Sequence, residues 1–135
     1  MMLPNIETFI GCESSFEEAS IVLYGAPFDS TTSFRPGARF GPSAMRHESF
    51  GLETYSPYQD RDLMDIRVFD SGDLELCFGS SEMALSDIEK RAEEILKAGK
   101  FPLLLGGEHL VTLAAVRAAA AKYPDLHIIL MHMQI

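Results

Sequence analysis

Hydrophobic residues along this chain fall into short continuous runs, separated by longer stretches with helical spacing. Residues 21–24 and 101–105 are apolar runs ended by glycine, and both are predicted to be buried strands. A further strand is predicted over residues 66–70, and a fourth begins near Leu126. Strands that are apolar at consecutive positions, rather than at every second one, indicate a sheet covered on both faces.

Helices are predicted between these strands. Residues 81–97 have apolar side chains at helical spacing and basic residues near their end, and Gly99 follows as a C-cap. Residues 110–122 form an alanine-rich helix, and residues 41–46 begin a helix with Pro42 at its first position. Strands and helices alternate, which predicts an α/β fold with a mainly parallel sheet between helices.

The composition fits one globular domain. With 135 residues, 47% of them apolar, the chain can bury a core, and its net charge of -9 argues against a nucleic acid partner. Cys12 and Cys77 are far apart and lack metal-binding spacing, which is typical of reduced thiols in a cytosolic protein. The first residues do not resemble a signal peptide, and no run reaches the roughly 18 apolar residues of a membrane span. We therefore expect a cytoplasmic protein that binds no membrane.

Candidate chemistry collects at the carboxyl ends of the predicted strands, where ligands bind in parallel sheets. Gly25, residues 70–73 and residues 106–109 should gather at this edge. His109 is a candidate metal ligand because imidazole is a common one, although it could instead be a helix-start histidine hydrogen-bonded to a loop. One histidine cannot hold a catalytic ion alone. The preceding glycines, Gly106 and Gly107, would let the backbone approach a ligand closely.

Several charged side chains near this edge allow two interpretations. Asp70 and Asp73 could bind metal or act as acid and base, but capping of turns is favoured. Arg35 and Arg39 could hold an anionic group, but salt bridges to the acidic surface are favoured. Glu108 could orient a ligand or cap the following helix. The chain contains no nucleophile elbow, Walker loop or dinucleotide fingerprint.

Four sequence blocks carry a family resemblance. They are Gly-Ala-Pro-Phe-Asp-Ser at residues 25–30, Arg-Pro-Gly-Ala-Arg-Phe-Gly-Pro at 35–42, Gly-Asp at 72–73 and Gly-Gly-Glu-His at 106–109. In this order they resemble the N-terminal half of the agmatinases of the arginase (ureohydrolase) family. The resemblance implies an arginase-like three-layer α/β/α fold, here incomplete, with residues 1–135 forming the N-terminal part of a single domain.

The resemblance also implies a function. Family enzymes bind two manganese ions that activate a hydroxide, and agmatinases convert agmatine to putrescine and urea. His109 corresponds to the first metal ligand, whereas the catalytic residues are unknown. The intact enzyme is expected to be a homo-oligomer. Alternatives are a ureohydrolase for another guanidino substrate, or an inert fragment that only associates with other subunits.

Residues 127–135 depart from the family pattern. The family continues with His-Phe-Asp-Ala-His-x-Asp, whereas this chain has Ile-Leu-Met-His-Met-Gln at residues 129–134. Loss of one base from suitable codons for the family motif yields this hexapeptide. We therefore hypothesise that the chain is a frameshifted and prematurely ended family member, in which His132 is a packed residue rather than a ligand.

Overall fold

The computed structural model describes Met2 and residues 7–131. Three parallel strands form its centre, in the order β4 (Val68–Asp73), β1 (Ile21–Ala26) and β5 (Phe101–Gly106). A separate two-stranded antiparallel hairpin joins β2 (Tyr55–Ser56) to β3 (Arg61–Asp62). This arrangement confirms the predicted α/β fold with a parallel sheet. In chain order the elements are β1 (Ile21–Ala26), α1 (Gly41–Ser49), β2 (Tyr55–Ser56), β3 (Arg61–Asp62), β4 (Val68–Asp73), α2 (Ser81–Lys97), β5 (Phe101–Gly106) and α3 (Leu110–Lys122), with 3-10 turns at Ala38–Phe40 and Leu63–Asp65.

The carboxyl ends of the three parallel strands meet at one edge of the sheet. Gly25 near the end of β1 pairs with Asp73 of β4, and Ala26 pairs with Gly106 of β5. Parallel strands joined by crossover connections have this consequence, since each strand runs in the same direction. The prediction that these segments gather at one edge is therefore confirmed.

Helices α2 and α3 cover one face of the sheet. Val22 and Tyr24 of β1 are fully buried against apolar side chains of both helices. The opposite face is covered differently, because Cys12, Leu23 and Val68 form a smaller cluster there. The buried helical residues are Ala84, Ile88, Ala92, Ile95 and Leu96 of α2 with Val111, Ala114 and Ala118 of α3.

Helix α2 has recognisable signals at both ends. Ser80 is its N-cap, and the Ser80 hydroxyl accepts a hydrogen bond from the Met83 amide at 3.2 Å. At the other end Ala98 is the C-cap, and Gly99 follows with a left-handed φ of 75°. The Gly99 amide donates to the Leu96 carbonyl at 3.0 Å, which satisfies an otherwise unpaired helix carbonyl. Gly99 therefore ends the helix as predicted, although the C-cap itself is Ala98, one residue earlier.

Two predictions about the end of the chain are wrong for the described residues. Strand β5 is not covered on both faces, since Phe101 is 63% and Leu103 is 44% exposed. The fourth strand predicted from Leu126 is not formed, because residues 126–131 have no regular structure and follow a turn at Pro124. Strand β5 therefore lies at the edge of the sheet. Residues 132–135, including His132, lie outside the described part of the chain.

The structure also differs from the prediction in three smaller ways. Strand β4 begins at Val68 rather than at residue 66, because the Asp62 carboxylate caps the turn Leu63–Asp65 through the Met64 amide. Pro42 is the second residue of α1 rather than the first. The β2–β3 hairpin was not predicted from the sequence, since each strand has only two residues.

Within the described residues, no helix is both long and apolar enough to cross a membrane. Cys12 and Cys77 are both free, and Cys12 is buried beneath the sheet. Burial raises the pKa of the Cys12 thiol to about 11, and the Asp70 and Glu13 carboxylates add to this effect while Arg46 opposes it. Cys12 is therefore a packed, protonated thiol rather than a nucleophile.

Candidate functional site

The turn that carries His109 follows β5 at the carboxyl edge of the sheet. It borders an open depression of about 610 Å³. One wall of the depression comes from the loop after β1 and the other from the start of α3. The lining residues are Thr31, Thr32, Ser33, Phe34, Glu108, His109, Leu110 and Leu113.

Gly107 lets two backbone segments pass very close to each other. A Cβ atom at this position would lie 2.0 Å from the carbonyl oxygen of Phe28 and 2.7 Å from its nitrogen, distances that no side chain can adopt. The Gly107 amide donates to the Ala26 carbonyl at 2.9 Å. Gly107 thus makes room for the protein's own backbone, and this contact takes the place of the predicted approach to a ligand.

Glu108 continues the same contact. Its amide donates to the Phe28 carbonyl at 2.9 Å, and its carboxylate accepts a hydrogen bond from the Thr31 hydroxyl. The N-cap of α3 is His109, and no side chain caps that position. The predicted helix-capping role of Glu108 is therefore not observed, and its side chain instead attaches the turn to the loop after β1. A role in orienting a ligand stays a prediction.

His109 lies at the N-cap of α3 with helical backbone angles, and its side chain is exposed beside the depression. The structure thus places the imidazole at the carboxyl edge of the sheet, as the sequence predicted. Its role as a metal ligand stays a prediction.

The aspartates at the end of β4 bind an arginine that the sequence analysis did not identify. Arg46 of α1 is 2% exposed, and its Nε and Nη2 donate to the two oxygens of Asp70 at 2.8 and 3.0 Å. A third donor, Nη1, pairs with Asp73. Gly25 accommodates this arrangement, because a Cβ there would lie 1.8 Å from an Asp73 oxygen.

Hydrogen bonds keep the Arg46 guanidinium charged despite its burial. Burial alone would lower the pKa of Arg46, but its hydrogen bonds to Asp70 and Asp73 outweigh burial and raise the pKa. Asp70 also accepts hydrogen bonds from the Phe9 and Gly72 amides, both at 2.9 Å. The favoured prediction of turn capping is therefore not confirmed for Asp70, because it lies within strand β4 and its main side-chain partner is Arg46. The signal that could have found Arg46 is Asp70 itself, since a carboxylate after two buried apolar residues needs a cationic partner.

The loop after β1 is organised by Asp29. Its buried carboxylate accepts from the Gly37 amide at 2.6 Å and lies 3.3 Å from Nε of Arg39, whose guanidinium also lies 5.5 Å from the centre of the Phe40 ring. Arg39 thus forms a salt bridge, as the favoured interpretation expects, but its partner is the buried Asp29 rather than the acidic surface. Arg35 is exposed, with its guanidinium 5.1 Å from the centre of the Phe34 ring.

The described residues do not by themselves form a metal centre. No group of three or more histidine, cysteine, aspartate or glutamate side chains lies close enough together in this part of the chain to hold an ion. A catalytic site for zinc or manganese needs several converging nitrogen and oxygen ligands. Asp70 and Asp73 are bound to Arg46, so they do not complete such a set around His109.

Comparisons with known proteins agree on one family. The sequence model of the arginase family matches residues 19–132. Agmatinases of Bacillus anthracis and Bacillus subtilis (strain 168) are 53% and 52% identical to this chain, over 93% and 91% of its length. The solved structure of proclavaminate amidino hydrolase from Streptomyces clavuligerus superimposes with a TM-score of 0.81 at 33% identity, over 93% of this chain and 43% of that one. The chain spans 43% and 42% of the two agmatinases.

Proposed function

Because the chain belongs to the arginase family, we propose that residues 1–135 are the N-terminal part of a single ureohydrolase domain. The whole domain would hydrolyse agmatine to putrescine and urea, with manganese as its metal. The observation that carries this proposal is the identity of 53% and 52% to two agmatinases, against 33% to an amidino hydrolase of the same fold. On the same grounds we propose a cytoplasmic, homo-oligomeric whole enzyme.

Within this function, His109 would supply one metal ligand. Its position supports the role, since the imidazole is exposed at the carboxyl edge of a parallel sheet and borders an open depression. The remaining ligands would lie outside the described residues. No step of the hydrolysis is therefore assigned to this part of the chain, and we expect it to be inert by itself.

A second candidate is hydrolysis of a different guanidino compound. The superposition on proclavaminate amidino hydrolase favours it, because 93% of this chain matches an enzyme that acts on another substrate. The scaffold around His109 is thus compatible with more than one substrate.

The first experiment measures the chain alone. Bound manganese is quantified after dialysis for the chain, for a His109→Ala variant and for a His127→Ala variant, and urea release from agmatine is followed in parallel. His127 is a matched control because it is exposed but lies away from the depression. We expect no urea from any of them, and any bound manganese to fall only in H109A. Urea release by the chain that survives H109A would contradict the proposal.

The second experiment supplies the remainder of the domain. Residues 1–126 are joined to the C-terminal portion of the Bacillus anthracis agmatinase, whose N-terminal portion is 53% identical to this chain. The chimera should release urea from agmatine, and the same chimera with H109A should not. A chimera that folds but prefers another guanidino compound, despite its agmatinase portion, would favour the second candidate.

A further inference from the structure

The loop after β1 and the turn after β5 are attached to each other at three successive points. The Gly107 amide binds the Ala26 carbonyl, the Glu108 amide binds the Phe28 carbonyl, and the Thr31 hydroxyl binds the Glu108 carboxylate. The first two contacts join backbone to backbone beside β1 and β5. The third is made by side chains and lies immediately before His109.

We propose that Thr31 and Glu108 are positioning residues that hold the His109 turn against the loop after β1. The two backbone contacts end at Phe28, so they fix the base of the turn but not the segment Thr31–Phe34 that forms the opposite wall of the depression. The Thr31–Glu108 hydrogen bond reaches across to that wall. It therefore sets the separation between His109 and Thr31.

The chemistry of the pair suits this role. A hydroxyl that donates to a carboxylate forms a charge-assisted hydrogen bond, which is stronger than one between neutral groups. The loop that carries Thr31 is itself anchored, because the Thr32 amide and hydroxyl both donate to the Asp29 carbonyl, at 3.3 and 2.9 Å. Asp29 is in turn held by the Gly37 amide. Glu108 is thus hydrogen-bonded to a loop segment that is itself held by further hydrogen bonds.

The consequence for function rests on the proposed ligand role of His109. A metal ligand must be held in a narrow range of positions, and neighbouring groups that fix its orientation affect metal affinity. Glu108 would act in this way through the position of the turn, without touching the metal. The attachment itself, however, is a property of this chain and can be tested without metal or substrate.

The test compares Thr31→Val with Thr31→Ser in the 135-residue chain. Valine has nearly the shape of threonine but no hydroxyl, whereas serine keeps the donor. Amide hydrogen exchange of Glu108 and the imidazole carbon–proton NMR signal of His109 are measured in each. Loss of one hydrogen bond should accelerate exchange of the Glu108 amide by roughly two- to tenfold in T31V and shift the His109 signal. T31S should resemble the parent chain in both measurements.

The amides of Val22 and Leu23 at the centre of β1 provide the internal control. The proposal requires that their exchange stays unchanged in T31V, because the effect should be confined to the turn. It would be overturned by a T31V variant with unchanged Glu108 exchange and His109 signal, or by equal acceleration at Val22 and Leu23. A Glu108→Gln variant, which keeps an acceptor oxygen, should perturb the His109 signal less than Glu108→Ala. Since these measurements need no metal, they remain valid if His109 proves not to be a ligand.

Discussion

The buried Arg46–Asp70 pair makes a quantitative prediction about stability. Replacing Arg46 by methionine keeps much of the apolar volume but removes three hydrogen-bond donors from the Asp70 and Asp73 carboxylates. Asp70 is fully buried, and among the described residues its carboxylate would retain only the Phe9 and Gly72 amides as donors. Removing one partner of such a pair costs about 3–5 kcal/mol, because the remaining charge stays buried without compensation.

This loss is large relative to the total free energy of unfolding. Domains of this kind have a free energy of unfolding of about 5–15 kcal/mol, so Arg46→Met should leave the chain marginally stable or unfolded. The assay is urea unfolding followed by far-ultraviolet circular dichroism. Arg35→Met is the matched control, since Arg35 is exposed and contacts only the Phe34 ring among the contacts described. It should change the free energy of unfolding by less than about 1 kcal/mol.

A double-mutant cycle distinguishes the interaction energy between Arg46 and Asp70 from the contribution of side-chain packing. Asp70→Asn removes the carboxylate charge, and the combination with Arg46→Met should cost less than the sum of the two single changes, by about 0.5–3 kcal/mol. A loss below 1 kcal/mol in R46M, or additive effects in the cycle, would refute the reasoning that this ion pair joins α1 to β4.

Four further predictions follow from other parts of the molecule. Gly107→Ala should destabilise the chain by about 1–3 kcal/mol in urea unfolding, because its Cβ would overlap the Phe28 backbone, whereas Gly51→Ala, whose Cβ would stay 3.4 Å from its nearest neighbour, should have little effect. Between pH 9 and 11 the unfolded Cys12 thiol loses its proton while the folded one keeps it, so the free energy of unfolding should fall, by on the order of 2 kcal/mol, and the fall should be smaller in Cys12→Ala. Ile129→Lys should reduce concentration-dependent self-association in sedimentation velocity, since Ile129 is 88% exposed beside the uncovered strand β5, and unchanged association would argue against this apolar surface. Coding DNA read beyond codon 128 in all three frames should contain Phe-Asp-Ala-His-x-Asp, the part of the family motif that follows the incomplete first codon, and its absence from every frame would contradict the frameshift hypothesis.

The elements that the sequence predicted well are those with a local physical signal. Helix α2 has apolar residues at helical spacing, a serine cap and a glycine after its last turn, and its bounds agree with the prediction at both ends. Strand β1 was recognised because a continuous apolar run ended in glycine. The alternation of such elements was enough to predict a parallel sheet and the edge at which its strand ends meet.

The features that the sequence did not predict depend on partners distant in the chain. Arg46 and Asp70 are 24 positions apart, and nothing local to α1 distinguishes Arg46 from an exposed helical arginine. The contact of Gly107 with Phe28 spans a still longer separation, so the glycine pair was interpreted as ligand-facing. The fourth strand was predicted from apolar residues alone, but a strand also requires a neighbour with free backbone groups in the correct register.

The aspartates and the histidine at this edge of the sheet have different surroundings. By position, Asp70 and Asp73 lie in the last part of a strand, Asp29 and His109 follow strands, and all four could belong to a metal site. The carboxylates of the first three are already bound to Arg39 or Arg46, and Asp29 and Asp70 also accept backbone amides, so their charge is used to fix loops and helix α1. His109 is set apart by its exposure at the depression and by the glycine-dependent turn that carries it. The described part of the chain would thus contribute to the proposed function chiefly by placing one imidazole at this edge, and the acidic ligands of a ureohydrolase site would come from residues outside it.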